Sequence, residues 1–378
     1  MVGIWRVLVT ALLLVFLGTS LNSVMVTMAV AQTINIPSTG YVKYTLVLYN
    51  NTLLPGNVAV ESHYTVPKGI AYDPSNGYLY VASCTTPGYV YVINSQTNRV
   101  VTEIQVGSNP YGAIYDPSNG YIYVTDTASN AVSVINPSTN QVISTIHGLG
   151  ANPEGIAYDP SNKYIYVADL HYYAVSVINP STNKVVSNIT VRANPWCIAY
   201  DPSNGYLYVT DYFIGCITII NPSTNSVEGN IQFTMPHPIG ITYVNGYIYV
   251  ADPQCNVVAV INPSTDKVVG TIHSLGISPV RVAYAPSNGY LYVANYKSDF
   301  VSVVNPSTDK VIANIPVGSG SSFILYDPSN GYLYVTHPQS GTISIIATKY
   351  PESTLLTYII IVVAEVVVAV VAVILARR

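Results

Sequence analysis

Charged residues are scarce in this chain, because Asp, Glu, Lys and Arg together account for only 8% of its 378 residues. The net charge is −4, and the 14 lysines and arginines are spread along the sequence without forming a basic patch or stripe. Proteins that bind DNA or RNA use such patches to neutralise phosphates. We therefore exclude a nucleic-acid partner.

The local motifs of common catalytic sites are also missing. The sequence has no Gly-x-Ser-x-Gly, no His-Glu-x-x-His, no phosphate-binding glycine-rich loop with Lys and no EF-hand loop. It has no Cys-x-x-Cys, so neither a zinc ribbon nor c-type haem attachment is indicated. We therefore expect a binding protein more than an enzyme, although a catalytic site assembled from distant residues stays open.

Tyrosine is abundant, with 34 residues, and many of them fall in one repeated segment. Residues 72–81 read YDPSNGYLYV, and recognisable copies are spaced 41 to 43 residues apart. The copies begin at Tyr72, Tyr115, Tyr158, Tyr200, Tyr243, Tyr284 and Tyr326. This period is typical of a four-stranded propeller blade, so seven copies predict seven blades.

Each repeat contains four short segments with the alternation and β-branched content of strands. Examples of the first, third and fourth segments are residues 69–72, 132–135 and 142–146. We expect both faces of a blade to be buried against its neighbours. In the fifth repeat the turn shortens to Asn245-Gly246, the favoured pair for a type I′ hairpin.

The last repeat ends after its third strand, and the N-terminal segment at residues 44–66 can supply the fourth. Such closure would remove an exposed sheet edge. We therefore predict an all-β fold, a seven-bladed β-propeller of four-stranded blades at residues 32–347, closed by the N-terminal segment. The predicted repeats start near residues 69, 112, 155, 197, 240, 281 and 323.

Both ends of the chain indicate transport to a membrane. Residues 1–31 have the positive start, the apolar run and the small-residue cleavage site of a signal peptide, with an uncleaved N-terminal anchor as the alternative. After a linker at residues 348–354, residues 355–376 are apolar and long enough for one transmembrane helix. Arg377 and Arg378 then indicate a cytoplasmic end. Glu365 within the helix is either tolerated there or paired with a partner helix.

The repeat resembles the YVTN-type propeller repeat of archaeal and bacterial cell-surface proteins described as surface-layer-like. The resemblance covers residues 44–347 and is carried by segments such as 123–126 (YVTD), 208–211 (YVTD) and 292–295 (YVAN). It implies a propeller and a location at the cell surface. It implies little about activity, because propellers include both binding proteins and enzymes.

The two kinds of connection lie on opposite faces of the predicted ring. The repeated Asp-Pro-Ser-Asn-Gly and Asn-Pro-Ser-Thr-Asn turns form one face, here called the turn face. The other connections form the variable face, at residues 83–89, 127–131, 170–174, 212–216, 253–256 and 296–300. The tether from the last strand to the membrane span, residues 347–354, reaches at most about 30 Å. We therefore expect the turn face towards the membrane and the variable face outwards, where ligand specificity usually lies.

Aromatic residues in the third and fourth blades are candidates for ligand binding on the variable face. They suit stacking on glycans or contact with a protein, and packing between adjacent loops is the alternative. These residues are Trp196, Tyr172, Tyr173, Tyr212 and Phe213.

Carboxylates end the second strand in four consecutive blades. They are Asp126, Asp169, Asp211 and Asp252, and oxygen ligands of this kind could bind Ca²⁺ or another divalent cation. The alternative, which we favour, is that each Asp caps its own loop and that the protein has no cofactor. All six histidines also fall in or beside variable-face connections, as expected if the fixed turns contain none.

Secretion would permit disulfides and glycosylation. Among the four cysteines, Cys216 and Cys255 lie in equivalent loops of adjacent blades, and Cys197 with Cys216 is the rival pair. Asn50 and Asn188 begin acceptor sequons for N-glycosylation.

These observations predict a single-pass, membrane-anchored extracellular propeller that acts as a binding, adhesion or surface-layer-associated scaffold. Its candidate partners are surface-layer proteins, glycans and proteins of neighbouring cells. The alternative function is an extracytoplasmic propeller enzyme, hydrolase-like or lactonase-like and dependent on a cation.

Overall fold

Seven four-stranded antiparallel sheets make up the fold, and each corresponds to one sequence repeat. The computed structural model describes residues 65–233 and 236–348 and, for the backbone alone, residues 41–47. In six sheets the strands follow chain order outwards from an inner strand, whereas in the seventh the N-terminal strand lies outermost. Neighbouring inner strands pack against one another. The chain is therefore a seven-bladed β-propeller, as predicted.

The first strand of each blade begins within two residues of the predicted start of its repeat. The N-terminal strand is β1 (Tyr41–Val47). Blade 1 has β2 (Pro67–Asp73), β3 (Tyr78–Ser83), β4 (Gly88–Asn94) and β5 (Arg99–Val106). Blade 2 has β6 (Pro110–Asp116), β7 (Tyr121–Asp126), the 3₁₀ turn Thr127–Ser129, β8 (Ala131–Asn136) and β9 (Gln141–Ile146). Blade 3 has β10 (Pro153–Tyr158), β11 (Ile165–Asp169), β12 (Ala174–Asn179) and β13 (Lys184–Thr190).

The remaining blades repeat this arrangement. Blade 4 has β14 (Pro195–Tyr200), β15 (Leu207–Asp211), β16 (Cys216–Asn221) and β17 (Ser226–Gln232). Blade 5 has β18 (Ile241–Val244), β19 (Tyr247–Asp252), β20 (Val257–Asn262) and β21 (Lys267–Ile272). Blade 6 has β22 (Pro279–Ala285), β23 (Tyr290–Asn295), β24 (Phe300–Asn305) and β25 (Lys310–Pro316). Blade 7 has β26 (Ile324–Asp327), β27 (Tyr332–His337) and β28 (Thr342–Ala347).

The hydrophobic core is divided among the interfaces between blades. In blade 1, Leu79 and Val81 pack with Tyr334 of blade 7, whereas Tyr80 packs on the opposite side with Ile122 of blade 2. Equivalent clusters fill the other five interfaces. Both faces of each blade are therefore buried, which confirms the prediction from the alternating pattern.

Tyrosine hydroxyls also connect adjacent blades on the turn face. Tyr123 OH donates to Asn183 Oδ1 of the next blade at 3.1 Å, and it accepts from Asn119 Nδ2 at 2.9 Å. The same connection joins the last blade to the first, where Tyr334 OH donates to Asn98 Oδ1 at 3.1 Å. The repeated Tyr and Asn thus join neighbouring blades, and we call this Tyr–Asn hydrogen bond the latch.

The turns form as their sequences predict. The Asp73 carboxylate accepts from the backbone N–H of Ser75 at 2.8 Å, and Gly77 takes a φ of 72°. In blade 5, Asn245 and Gly246 both have positive φ, at 50° and 88°, which is the type I′ conformation. Two different turn sequences therefore give a hairpin at the same place.

The seventh sheet has the order β1-β28-β27-β26, so an N-terminal strand lies next to the last strand of the chain's final repeat. Residues 48–64 of the predicted closing segment lie outside the described residues. Closure of the ring by the N-terminal segment stays a prediction.

The predicted signal peptide, membrane helix, Glu365 and terminal arginine pair also lie outside the described residues. Within the described ranges, no helix has the length and apolar character required to cross a bilayer.

Candidate functional site

Seven residues stand at the entry to the inner strands, one from each blade, and all seven are different residue types. Each follows a proline, except in blade 7, where the preceding residue is Ser322. We call them the entry residues: Lys68, Tyr111, Glu154, Trp196, Ile239, Val280 and Phe323. Since the inner strands surround the axis of a propeller, this position brings seven distinct side chains to the centre of the ring.

The residue after the entry position is glycine in four blades, because the neighbouring inner strand comes very close. A Cβ on Gly69 would lie 2.3 Å from the Tyr111 carbonyl oxygen, and one on Gly155 would lie 2.4 Å from that of Trp196. Blades 4, 6 and 7 have Cys197, Arg281 and Ile324 at this position instead. The first two add a thiol and a guanidinium to the centre.

A cavity of about 380 Å³ opens at the centre of the variable face. Its wall combines entry residues with variable-face loops, such as Tyr212, Gln254 and Tyr296. The complete lining is Lys68, Tyr111, Trp196, Tyr212, His237, Ile239, Pro253, Gln254, Ser278, Val280, Arg281, Tyr296, Lys297 and Ser322. The volume is within the usual range for small-molecule sites, about 300–1,000 Å³.

One side of this cavity is an aromatic wall. The Trp196 and Tyr212 ring centroids are 4.9 Å apart, and Tyr212 lies 4.8 Å from the His237 ring. Trp196 Nε1 donates to the Tyr111 hydroxyl at 3.3 Å, and the Tyr111 ring meets Phe323 edge-on at 5.3 Å. The indole is therefore held in place by a contact within its own blade and a hydrogen bond to Tyr111 of blade 2.

Two cations at the cavity are held by aromatic rings. Lys68 Nζ lies 5.6 Å from the Tyr111 ring centroid and 5.8 Å from that of Tyr296. The Arg281 guanidinium carbon lies 4.3 Å from the Phe323 centroid, and its Nη1 donates to the Val280 carbonyl at 2.9 Å. Burial lowers the pKa of Lys68, while arginine keeps its charge at any ordinary pH.

Glu154 is a carboxyl group electrostatically coupled to both of these cations, and it is only 7% exposed. Burial raises the pKa of Glu154 to about 8, although Arg281 and Lys68 act in the opposite direction. Its Oε2 is buried without a hydrogen-bond partner among the described residues. Burial therefore makes Glu154 a weaker partner for the two cations than an ordinary carboxylate.

The structure brings together three of the five predicted aromatic residues. Trp196 and Tyr212 line the cavity, and Phe213, 59% exposed, packs edge-on against Tyr212. Tyr172 and Tyr173 are 57% and 52% exposed and lie outside the cavity lining. Their role as ligand contacts stays a prediction.

The four predicted Asp residues are fully buried and hydrogen-bonded within their own blades. Ser133 Oγ donates to Asp126 and Ser176 Oγ to Asp169, both at 2.6 Å, and Thr218 donates to Asp211. Asp252 instead accepts from the backbone N–H groups of Gln254 and Cys255, each at 2.9 Å. The Asp252 contacts are those of the loop-capping alternative, whereas Asp126, Asp169 and Asp211 accept from hydroxyls on the third strand of their blades.

No group of three or more His, Cys, Asp and Glu within residues 65–233 and 236–348 is arranged to hold a metal ion. A divalent-cation site on these carboxylates, and with it a cation-dependent enzyme, stays a prediction.

All four cysteines are free thiols, so the predicted Cys216–Cys255 disulfide is not formed, nor is the rival Cys197–Cys216 pair. The Cys216 thiol is buried and donates to Asp211 Oδ2 at 3.1 Å, whereas Cys255 is exposed. The expectation from equivalent loops was wrong because the Cys216 side chain faces into its own blade.

Asn188 lies on the exposed outer strand β13, and its side-chain amide lies 2.8 Å from Ser176 Oγ. Asn50 lies outside the described residues. Glycosylation at both positions stays a prediction.

Sequence reasoning missed the entry residues other than Trp196, and it missed Arg281. They are about one repeat apart, so no local motif contains two of them. One signal was present in the sequence: the position after the recurring proline changes in every repeat, while the rest of the repeat changes much less.

The fold and the site define a seven-bladed β-propeller with a ligand-sized central cavity on its variable face. Among solved structures it is similar to a chain of Kuenenia stuttgartiensis hydrazine synthase, with a TM-score of 0.67 and 19% sequence identity. The match covers 76% of this chain and 97% of the other. At this identity the likeness shows the fold alone. No protein-family model matches the chain. No curated protein matches it either.

Proposed function

We propose that this chain is a cell-surface binding propeller of the YVTN, surface-layer-like type, and that it captures a saccharide in its central cavity. The observation that carries the proposal is the convergence of the variable positions of an otherwise repetitive chain on one concave site with an aromatic wall. Stable protein interfaces usually bury about 800 Å² on each partner, whereas a cavity of this size encloses a small ligand. Aromatic rings suit the apolar face of a sugar.

The proposal includes attachment to the membrane by residues 355–376, with the turn face towards the bilayer and the variable face outwards. The supporting features are the apolar length of that segment, the terminal arginines and the short tether. In this orientation the cavity opens away from the cell. A tethered propeller of this kind would serve adhesion or association with a surface layer.

Orientation can be tested with the exposed thiol of Cys255, which belongs to the variable face. A membrane-impermeant maleimide applied to intact cells is expected to label the wild-type chain, and Cys255→Ser is expected to remove most of the label. The buried Cys216 provides the matched control, because Cys216→Ser should leave labelling unchanged. Labelling that requires cell lysis would contradict the outward orientation.

Ligand binding can be tested by applying the full-length chain to a glycan array. Trp196→Ala and Tyr212→Ala are each expected to weaken binding by about 10-fold or more, because central aromatics carry much of the energy of a binding site. Tyr247→Ala is the matched control, since Tyr247 is an exposed aromatic next to the Asn245-Gly246 turn. Binding that is indifferent to Trp196, or binding to proteins but to no saccharide, would refute the proposal.

A further inference from the structure

The charge of the cavity distinguishes it from the rest of the molecule. Its lining contains Lys68, Arg281 and Lys297, three of the chain's 14 lysines and arginines, and no Asp or Glu. The whole chain carries a net charge of −4. The cavity is therefore a local concentration of positive charge on a weakly acidic protein, which attracts anions.

The neighbouring groups leave this charge largely uncompensated. Lys68 and Arg281 contact the rings of Tyr111, Tyr296 and Phe323. Arg281 donates a hydrogen bond to the Val280 backbone carbonyl, and its side-chain hydrogen bonds to Tyr111 and Cys197 are also to groups other than carboxylates. Glu154 is coupled to both cations, but burial raises its pKa and its side chain is not part of the cavity lining.

The cations and the aromatic wall belong to the same small space. Trp196 and Tyr212 form one side of the lining, while Lys68 and Arg281 come from the inner strands of blades 1 and 6. A ligand that satisfies both needs a flat apolar face and an anionic group attached to it. Arginine presents a planar fork of donors that matches a carboxylate in two hydrogen bonds.

We propose that the cavity binds an anionic saccharide, a sugar that carries a carboxylate in the manner of a uronic acid. The carboxylate contacts Arg281 and Lys68, and the sugar ring stacks on Trp196 and Tyr212. This inference rests on the proposed saccharide-binding function and specifies its ligand class. A cavity of about 380 Å³ has room for one or two sugar rings, so recognition is directed at a residue or a chain end of an acidic glycan.

Isothermal titration calorimetry on the full-length chain tests the inference with three probes: a digalacturonate, the neutral digalactose and a sulfated digalactose. We expect the digalacturonate to bind at least about 10-fold more tightly than the neutral sugar, because hydrogen bonds to charged groups are strong. The sulfated probe separates a carboxylate from other anionic groups.

Charge-removing variants locate the contact. Arg281→Gln is expected to weaken digalacturonate binding by roughly 10- to 100-fold and to affect digalactose binding much less. Lys68→Gln should act in the same direction and supplies an independent test if Arg281→Gln fails to fold. Lys184→Gln is the matched control, because Lys184 lies exposed at the start of the outer strand β13.

Equal affinity for the acidic and neutral probes, or digalacturonate binding unaffected by both variants, would overturn the inference. Binding of the sulfated probe alone would also overturn it. If the three probes fail while the array shows a saccharide bound through Trp196, the inference is wrong and the proposed function stands. If the array shows no saccharide, both fall.

Discussion

At the scale of single residues, glycines determine how closely the inner strands approach one another at the centre of the ring. Gly69, Gly112, Gly155 and Gly240 allow the backbones of adjacent inner strands to approach, and a Cβ at any of them would lie 2.2 to 2.6 Å from a neighbouring carbonyl oxygen. Such a contact must be relieved by movement of the backbone. The close approach also places five of the seven entry residues around one small cavity.

Because of this close approach, we expect replacement of a glycine on an inner strand to be more destabilising than replacement of a glycine on an outer strand. Gly155→Ala is expected to lower the free energy of unfolding by about 1–3 kcal/mol, the usual cost of overpacking. Gly229→Ala is the matched control, because its Cβ would meet nothing nearer than Ile219 Cδ1 at 4.0 Å and Gly229 also lies in a strand. Chemical denaturation of both variants measures the difference. Equal stabilities would mean that the inner strands pack less tightly than described.

At the scale of elements, most second strands end in a buried polar side chain that bonds a hydroxyl on the third strand. The pairs with Asp126, Asp169 and Asp211 have counterparts in Asn295, which donates to Ser302 Oγ at 3.0 Å, and in His337, whose Nε2 lies 2.8 Å from Ser344 Oγ. Blade 5 has Ala259 where the hydroxyl would be, and Asp252 bonds the loop instead. The end of the second strand accepts different polar residues, and in most blades that residue keeps its hydrogen bond to the hydroxyl on the third strand.

These carboxylates predict greater stability in acid. Burial raises the pKa of Asp126, Asp169 and Asp211 from 3.8 to about 6, so between these values the folded state holds protons that the unfolded state has lost. Each shift corresponds to about 3 kcal/mol of stability, present below pH 3.8 and lost as the pH rises through 6. Glu154 acts in the same direction. His337, with a pKa lowered by burial to about 3, opposes it, because its stabilisation is lost as the pH falls.

We therefore expect a higher free energy of unfolding at pH 4.5 than at pH 7, measured by urea denaturation at both values. Asp169→Asn should reduce this difference by about 2 kcal/mol, since the variant side chain no longer ionises. Asn295 shows that an amide fits this position. Asp299→Asn, at an exposed site, serves as the control and should leave the difference unchanged. A stability that rises steadily from pH 4.5 to pH 7 would show that these carboxylates are not desolvated.

The elements were largely predictable because their determinants are local. Asn245-Gly246 specifies its own turn, and the alternation around Tyr80 specifies a strand buried on both faces. The site was predictable only in part, through Trp196, Tyr212 and Phe213. Lys68 and Arg281 are 213 positions apart in sequence, and only closure of the ring places them at one cavity. The cysteine pairing failed for a related reason, because loop equivalence does not fix the direction of a side chain.

At the scale of the whole molecule, the seven interfaces between blades form a continuous circuit. The contact between blades 7 and 1 has its own hydrophobic cluster and its own Tyr334–Asn98 latch. These contacts join the ends of the repeat array independently of the N-terminal strand. These contacts do not pair the outer edge of β28, because a propeller blade with three strands would leave its last strand unpaired.

The sheet order, with Tyr41–Val47 beside β28, predicts how two proline variants should differ. Successive N–H groups of a strand point alternately towards its partner and away from it, and proline removes the N–H. Tyr44 and Thr45 are adjacent in β1, so only one of Tyr44→Pro and Thr45→Pro can delete a hydrogen bond to β28. That variant is expected to be less stable than the other by about 1 kcal/mol or more and to show faster amide exchange at residues 342–347. Identical behaviour of the two variants would mean that the N-terminal strand does not close the ring.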